Sequence, residues 1–176
     1  MKTELRKLSI DDGSDVYHLL QQILAEENGF HNDAYGLSIA DFHQWLQRKW
    51  EISQGINLPG WMVPSTEYWF YVDDVPVGTI RIRHTLNDAL RQRGGHIGYA
   101  IAYSYRHRGY GKLMLKAMLK EAFEQYSLTA VMLSTNSDNM ASRRIIESCG
   151  GQWEKEAEGE VTYWIALDQS HIKRKS

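Results

Sequence analysis

Between Gly95 and Gln125 the chain passes from a nearly unbroken apolar run, Gly95-His96-Ile97-Gly98-Tyr99-Ala100-Ile101-Ala102-Tyr103, through the turn Arg106-His107-Arg108-Gly109-Tyr110-Gly111 into a stretch of helical period. In that stretch, expected from Gly111 to about Gln125, Met114, Leu115, Met118, Leu119, Ala122 and Phe123 recur on one helical face. A strand with so few polar groups on either face is expected to be central and covered on both sides. The strand expected at Ala130-Val131-Met132-Leu133 completes a strand, turn, helix, strand unit, which requires a mixed α/β fold. The turn has chemistry of its own. The first N–H groups of a helix lack partners and point outward, and the helix dipole adds positive charge there. Gly109 and Gly111 let the main chain approach a ligand closely, while Arg106, Arg108 and Lys112 supply formal charge, so Arg106 to Lys112 reads as an anion-binding helix start suited to a pyrophosphate. The spacing matches neither the Gly-x-x-x-x-Gly-Lys phosphate loop nor the Gly-x-Gly-x-x-Gly dinucleotide turn. A tight turn of purely structural purpose fits the same residues.

The rest of the chain supplies one continuous alternation of patterns without repeats or low-complexity linkers. Leu5 to Ile10 reads as a first strand. Asp11 and Asp12 offer N-cap chemistry to a helix through Val16, Leu19, Leu20, Ile23 and Leu24, and a second helix is expected over Ile39 to Ile52 with Phe42, Trp45, Leu46 and Trp50 as its stripe. Gly55 to Ser65 is loop. Tyr68 to Val72 and Val77 to Arg83, separated by Asp73-Asp74, predict an antiparallel hairpin. A last helix from about Asn139 to Ser148 ends at Gly150-Gly151, and Val161 to Leu167 closes the sheet.

At 176 residues, with 43% hydrophobic and 24% charged residues, the chain has the size and composition of one globular domain. We read it as a single domain over residues 1–167 with a basic tail over 168–176, whose run His171-Ile172-Lys173-Arg174-Lys175 is given no function. A net charge of -2 lacks the basic excess of a nucleic-acid-binding domain, so nucleic acid is excluded as a partner. No stretch approaches the ~18 apolar residues of a membrane span, and the charged start Met1-Lys2-Thr3-Glu4 is no export signal, which excludes a membrane partner and predicts a cytoplasmic location. The single Cys149 permits no internal disulfide, and seven histidines without paired spacing predict no metal site.

Taken in order, these motifs resemble the GNAT superfamily of acyl-CoA N-acyltransferases. Its Arg/Gln-x-x-Gly-x-Gly/Ala signature is matched at Arg106, Gly109 and Gly111, its Asn-x-x-Ser at Asn139 and Ser142, and its closing Glu-x-x-Gly-Gly at Glu147 to Gly151. The likeness covers about Tyr68 to Leu167. Val63-Pro64-Ser65-Thr66, Arg81-Ile82-Arg83-His84 and Gly94 to Tyr99 are similar to a subgroup of predicted acetyltransferases. The resemblance implies a mostly antiparallel sheet with a central pair of splayed parallel strands, flanked by helices, and acetyl-CoA as cosubstrate. It implies that main-chain groups near Ile101 and Ala102 meet the pantetheine or the acyl carbonyl, and that Asn139 and Ser142 contact it from the far side. It implies acetyl transfer to a primary amine by direct attack in a ternary complex. The acceptor's identity is left open, as is the oligomeric state, a homodimer included.

An amine with a pKa near 10 must lose a proton before it attacks a thioester. His96 is the candidate general base, on the central strand where many family members carry a glutamate; a hydrogen-bonded core histidine is the competing reading. The family's usual acid is a tyrosine about seven residues after the helix asparagine, and that position here is Ile146. Its absence keeps a non-catalytic acyl-CoA-binding module open as the alternative. Cys149 reads as a buried thiol, Arg81 and Arg83 as one strand face that is either solvated or aimed at an acidic acceptor group, and Asn139 and Ser142 also suit helix capping.

Overall fold

The computed structural model describes residues 1–171. In chain order it contains β1 (Thr3–Lys7), α1 (Ser14–Gln21), β2 (Glu26–Glu27), β3 (Phe30–His31), α2 (Ile39–Ser53), β4 (Ser65–Val72) and β5 (Val75–Arg83). There follow α3 (Asp88–Gln92), β6 (Ile97–Ile101), a 3-10 turn at Tyr103–Tyr105, α4 (Tyr110–Tyr126), β7 (Ala130–Asn136), α5 (Met140–Ser148), β8 (Gln152–Ala157) and β9 (Glu160–Ala166). A 3-10 turn at Gln169–His171 follows β9, so the expected basic tail lies mostly outside the described residues.

The sheet has two halves. One is antiparallel in the order β1-β4-β5-β6, the other antiparallel in the order β7-β9-β8. They meet at the start of β6, where the His96 N–H donates to the Met132 carbonyl at 2.7 Å and one isolated bridge joins Gly95 to Leu133. No ladder follows. Beyond this clasp, β6 from Ile97 to Ile101 and β7 from Leu133 to Asn136 line opposite walls of one cavity. A Cβ at Gly95, whose φ is +67°, would collide with the Met132 carbonyl, so glycine is required at the closest approach.

β4 explains why two layers form on this half. Along its alternation Tyr68, Phe70 and Val72 join Ile80, Ile82, Ile97, Met114, Met118, Leu133 and Ile165 in the core under α4, and Trp69 and Tyr71 on the opposite face pack with Val16, Leu20, Phe42 and Leu46 of α1 and α2. Asp12 accepts from the Trp69 indole at 2.7 Å and Asp15 from the Tyr71 hydroxyl at 2.8 Å. Asp12 is thus spent on the sheet rather than on capping α1, whose N-cap is Gly13. β1 begins and ends earlier than expected, because Ser9 and Asp12 close a turn through Ser9 N–H to Asp12 and Asp11 N–H to Ser9. Ile23 is buried, but Leu24, about half exposed, and Trp50, more than a third exposed, lie outside the buried core that the expected helix stripes predict for them.

β6 corrects another expectation. Its residues after Ile97 are half-buried rather than enclosed, since the gap to β7 leaves one edge and one wall facing the cavity. Cys149 caps α5 in the core, and no helix among the described residues is long and apolar enough to cross a membrane.

Candidate active site

The cavity between β6 and β7 holds about 710 Å³ and runs from the start of α4 past the end of β7. At one end, α4 begins at Gly109, which has φ +79° and offers the helix no side-chain cap. The first N–H groups of α4 are therefore open to a ligand, with His107, Gly109, Tyr110, Gly111 and Lys112 on the cavity wall. Gly111 is buried against Ile145 of α5, where a Cβ would stand 2.9 Å from Ile145 Cδ1. Arg108 does not line the cavity: it is exposed, donates to the Ser104 carbonyl at 3.2 Å and lies over the Tyr105 ring.

Arg106 turns the other way. Its Nε donates to the Ile101 carbonyl at 2.9 Å, and its two Nη atoms reach Glu27 at 2.6 and 2.7 Å. Arg106 in turn holds the Glu27 carboxyl below the usual carboxylate range. Glu27 belongs to a feature that the sequence reading passed over. β2 and β3 form a hairpin closed by Asn28-Gly29, both at positive φ (52° and 81°), the two-residue turn that Asn-Gly signals in sequence. Its tip stands at Asn136 of β7, and Phe30 lies beside Gly98 of β6, so the hairpin roofs the gap from one strand to the other. His31, on the same hairpin, lines the cavity with Nδ1 hydrogen-bonded to Glu26 at 2.5 Å.

Along β6, Ala102 donates to the Val77 carbonyl at 3.0 Å and accepts from Tyr105, so both its main-chain groups are taken within the protein and its side chain is fully buried. By the alternation of an antiparallel pair, the N–H groups of Tyr99 and Ile101 turn away from β5 toward the gap. On the far wall Asn139 caps α5, its side chain accepting from the Ser142 N–H at 3.2 Å. The Ser142 hydroxyl meets the Tyr99 hydroxyl at 2.9 Å across the cavity. Burial pushes the Tyr99 phenol up to about 12, so it stays protonated at neutral pH. Ile146 is buried in the core, and a hydroxyl occurs instead on β6.

His96 lies beneath the clasp and outside the cavity lining, 6% exposed, with Nδ1 accepting from the Met132 N–H at 2.9 Å. A neutral imidazole arranged so carries its proton on Nε2 and has no lone pair left for an incoming proton. Burial, together with the Arg83 and Arg91 charges, lowers its pKa to about 4. Arg81 and Arg83 are not a solvated face. Arg81 bonds Glu67 at 2.6 Å, Arg83 donates to the Gly95 carbonyl at 2.9 Å, and both line the cavity. Among the described residues no group of three or more His, Cys, Asp or Glu is placed to hold a metal.

Comparison with known proteins agrees with this geometry. A family model described as the acetyltransferase (GNAT) domain matches residues 2–152. No curated protein matches the sequence significantly. Among solved structures, the ribosomal L7/L12 α-N-protein acetyltransferase RimL in complex with coenzyme A superposes with a TM-score of 0.71 at 15% identity, covering 96% of each chain. The ribosomal-protein-S5-alanine acetyltransferase of Vibrio fischeri gives 0.68 at 15% identity over 96% of this chain and 94% of its own. The Campylobacter jejuni N-acetyltransferase PseH in complex with acetyl coenzyme A gives 0.65 at 11% identity over 95% and 100%.

Proposed function

This chain belongs to the GNAT acetyltransferase family, and we propose that it moves the acetyl group of acetyl-CoA to a primary amine by direct attack in a ternary complex. The observation that carries this reading is the single cavity joining the uncapped start of α4 to the hairpin-roofed gap beside β6, which gives both reactants one continuous site. The pyrophosphate lies against the main chain from Gly109 to Lys112, with His107 and Tyr110 beside it. The pantetheine follows the open edge of β6, where the Ile101 N–H meets it, with Asn139 and Ser142 opposite. Main-chain donors of β6, fixed before the substrate arrives, polarise the acyl carbonyl. Holding amine and thioester in line is worth about 7–11 kcal/mol in favourable cases.

Proton movements fall to groups other than the expected ones. His96 serves the clasp. His31 is the base: a neutral ring whose Nδ1–H is held by Glu26 presents Nε2 as an acceptor. The Tyr99 and Ser142 hydroxyl pair gives its proton to the departing thiolate. The test is incubation with acetyl-CoA and a panel of primary amines, following thiol release and product mass. Amine-dependent thiol release with an acetylated product is expected. Tight acetyl-CoA binding without amine-dependent release overturns the reading.

A further inference from the structure

In the amine half of the cavity, nearly every charge has a partner. Arg81 is bonded to Glu67, which Lys49 approaches at 3.8 Å while bonding Asp33 at 3.0 Å; Arg106 is bonded to Glu27, and Glu160 to Arg93 at 2.6 Å. Arg83 is different. It lines the cavity, is mostly withdrawn from water, and has no carboxylate within 4.0 Å among the described residues. Its one protein acceptor is the Gly95 carbonyl, reached by Nη1. Loss of water, with Arg81 close by and Glu67 offsetting it only in part, lowers its pKa to about 10, so the charge is left incompletely compensated by the fold. A charge of this kind is costly to keep, and an incoming anion relieves it.

Resting on the acetyl-transfer reading above, we propose that Arg83 holds a carboxylate of the acceptor, so that the amine substrate is an amino acid or another amine bearing a carboxylate. Three features fit. Gly98, opposite Arg81, and Ala100 share the strand face of Arg83, line the cavity and carry little or no side chain of their own. With Nη1 engaged, Arg83 keeps free N–H groups that match a carboxylate in a paired fork. One free cation balances one carboxylate, while a phosphate dianion would call for a second, and Arg81 and Arg106 are already paired. Arg83 lies across from His96, three residues and ~10 Å of strand from Tyr99. The distance between amine and carboxylate is therefore part of the specificity.

The experiment uses glycine, β-alanine and 4-aminobutyrate, each against its own amide, with O-phosphoethanolamine as the phosphate probe and propylamine as a plain amine. Acetylation is followed by thiol release, and calorimetry on coenzyme A-loaded protein measures binding without turnover. The wild type is expected to favour at least one acid over its amide by about tenfold or more. Arg83→Gln should erase that ratio, and Arg83→Lys should keep part of it, since charge remains and the planar fork is lost. Acid and amide binding equally to wild type, a ratio unchanged in folded Arg83→Gln, or preference for the phosphate probe would each overturn the proposal. Acetylation of propylamine with no acid preference would leave acetyl transfer standing and remove the carboxylate. Acid binding without thiol release would do the reverse.

Discussion

The Arg106 guanidinium lies fork to fork against the Glu27 carboxylate, at 2.6 and 2.7 Å, across the mouth of the cavity. The first residue of the anion-turn signature thus secures the hairpin roof rather than reaching for phosphate. Glu27→Gln should loosen the roof and raise the amine KM about 3- to 10-fold, while acetyl-CoA affinity changes less than about twofold. Steady-state kinetics with calorimetry separates the two. The Glu27 pKa is depressed below its ordinary 4.5 by Arg106, so the pair is intact above that value and is lost only as pH falls through the lower folded one. Rates between pH 6 and 9 should carry no limb from it.

Gly111→Val should weaken acetyl-CoA binding by about tenfold or more, with the fold retained. The new side chain meets Ile145 and crowds the main chain where the pyrophosphate approaches. Arg108→Ala, which removes an exposed charge off the cavity wall, should change affinity less than about threefold. Equal affinities for wild type and Gly111→Val in calorimetry would place the anion elsewhere.

His96→Leu should unfold at lower temperature but turn over normally per folded molecule. It leaves the Met132 N–H without an acceptor, costing about 1–3 kcal/mol, or some 2–12 °C in Tm for a chain of this length. The wild-type ring has a folded pKa of about 4 against an ordinary 6.5. The unfolded chain therefore binds the extra proton between those values, and wild-type stability falls as pH drops from 6.5 toward 4. The stability gap between wild type and His96→Leu should shrink over that window in denaturant titrations at pH 7 and pH 5.

His31→Gln should lower kcat about 10²-fold with acetyl-CoA affinity unchanged, the scale of general-base loss. Glu26→Gln should lower it less, because the ring remains but loses the group that orients Nδ1. A His31→Gln enzyme with wild-type kcat would return the proton to a water chain.

Tyr99→Phe removes the hydroxyl paired with Ser142 and should reduce kcat with thioesters while leaving coenzyme A binding near normal. A loss of about tenfold or more, larger for poorer thiol leaving groups, is expected of a proton donor. Equal loss across leaving groups would indicate a packing role.

The helices and strands that carry strong periods are legible in sequence, and so is the glycine turn that opens α4, because Gly109 and Gly111 have local reasons to be where they are. What was not legible depends on which strands stop pairing. An apolar run such as Gly98 to Ile101 reads as buried whether it faces a core or an empty gap, and only the clasp at Gly95 and His96 distinguishes them. The strand position of His96 suggests a base, but its partner, the Met132 N–H, lies 36 residues away in the chain. Asn28-Gly29 is a hairpin signal within reach of the sequence, but the flanking strands are two residues each, too short to show alternation; the short helix Asp88–Gln92 and the strand Gln152–Ala157, exposed along its length, likewise carry no strong period. In sequence Arg83 is one of a pair on one strand face, and only three-dimensional charge pairing separates it from Arg81.

The unpaired edge of β6 resembles the rim of an open sheet, set into the wall of the cavity rather than on the outer surface. A ligand carrying amide groups along an extended chain can complete it as an added strand would. Coenzyme A should then act as a further stitch between two sheets already joined by the clasp and by the shared core under α4. Amide hydrogen exchange at Tyr99 and Ile101 should slow on its addition, and the two halves of the chain should unfold together at a higher temperature.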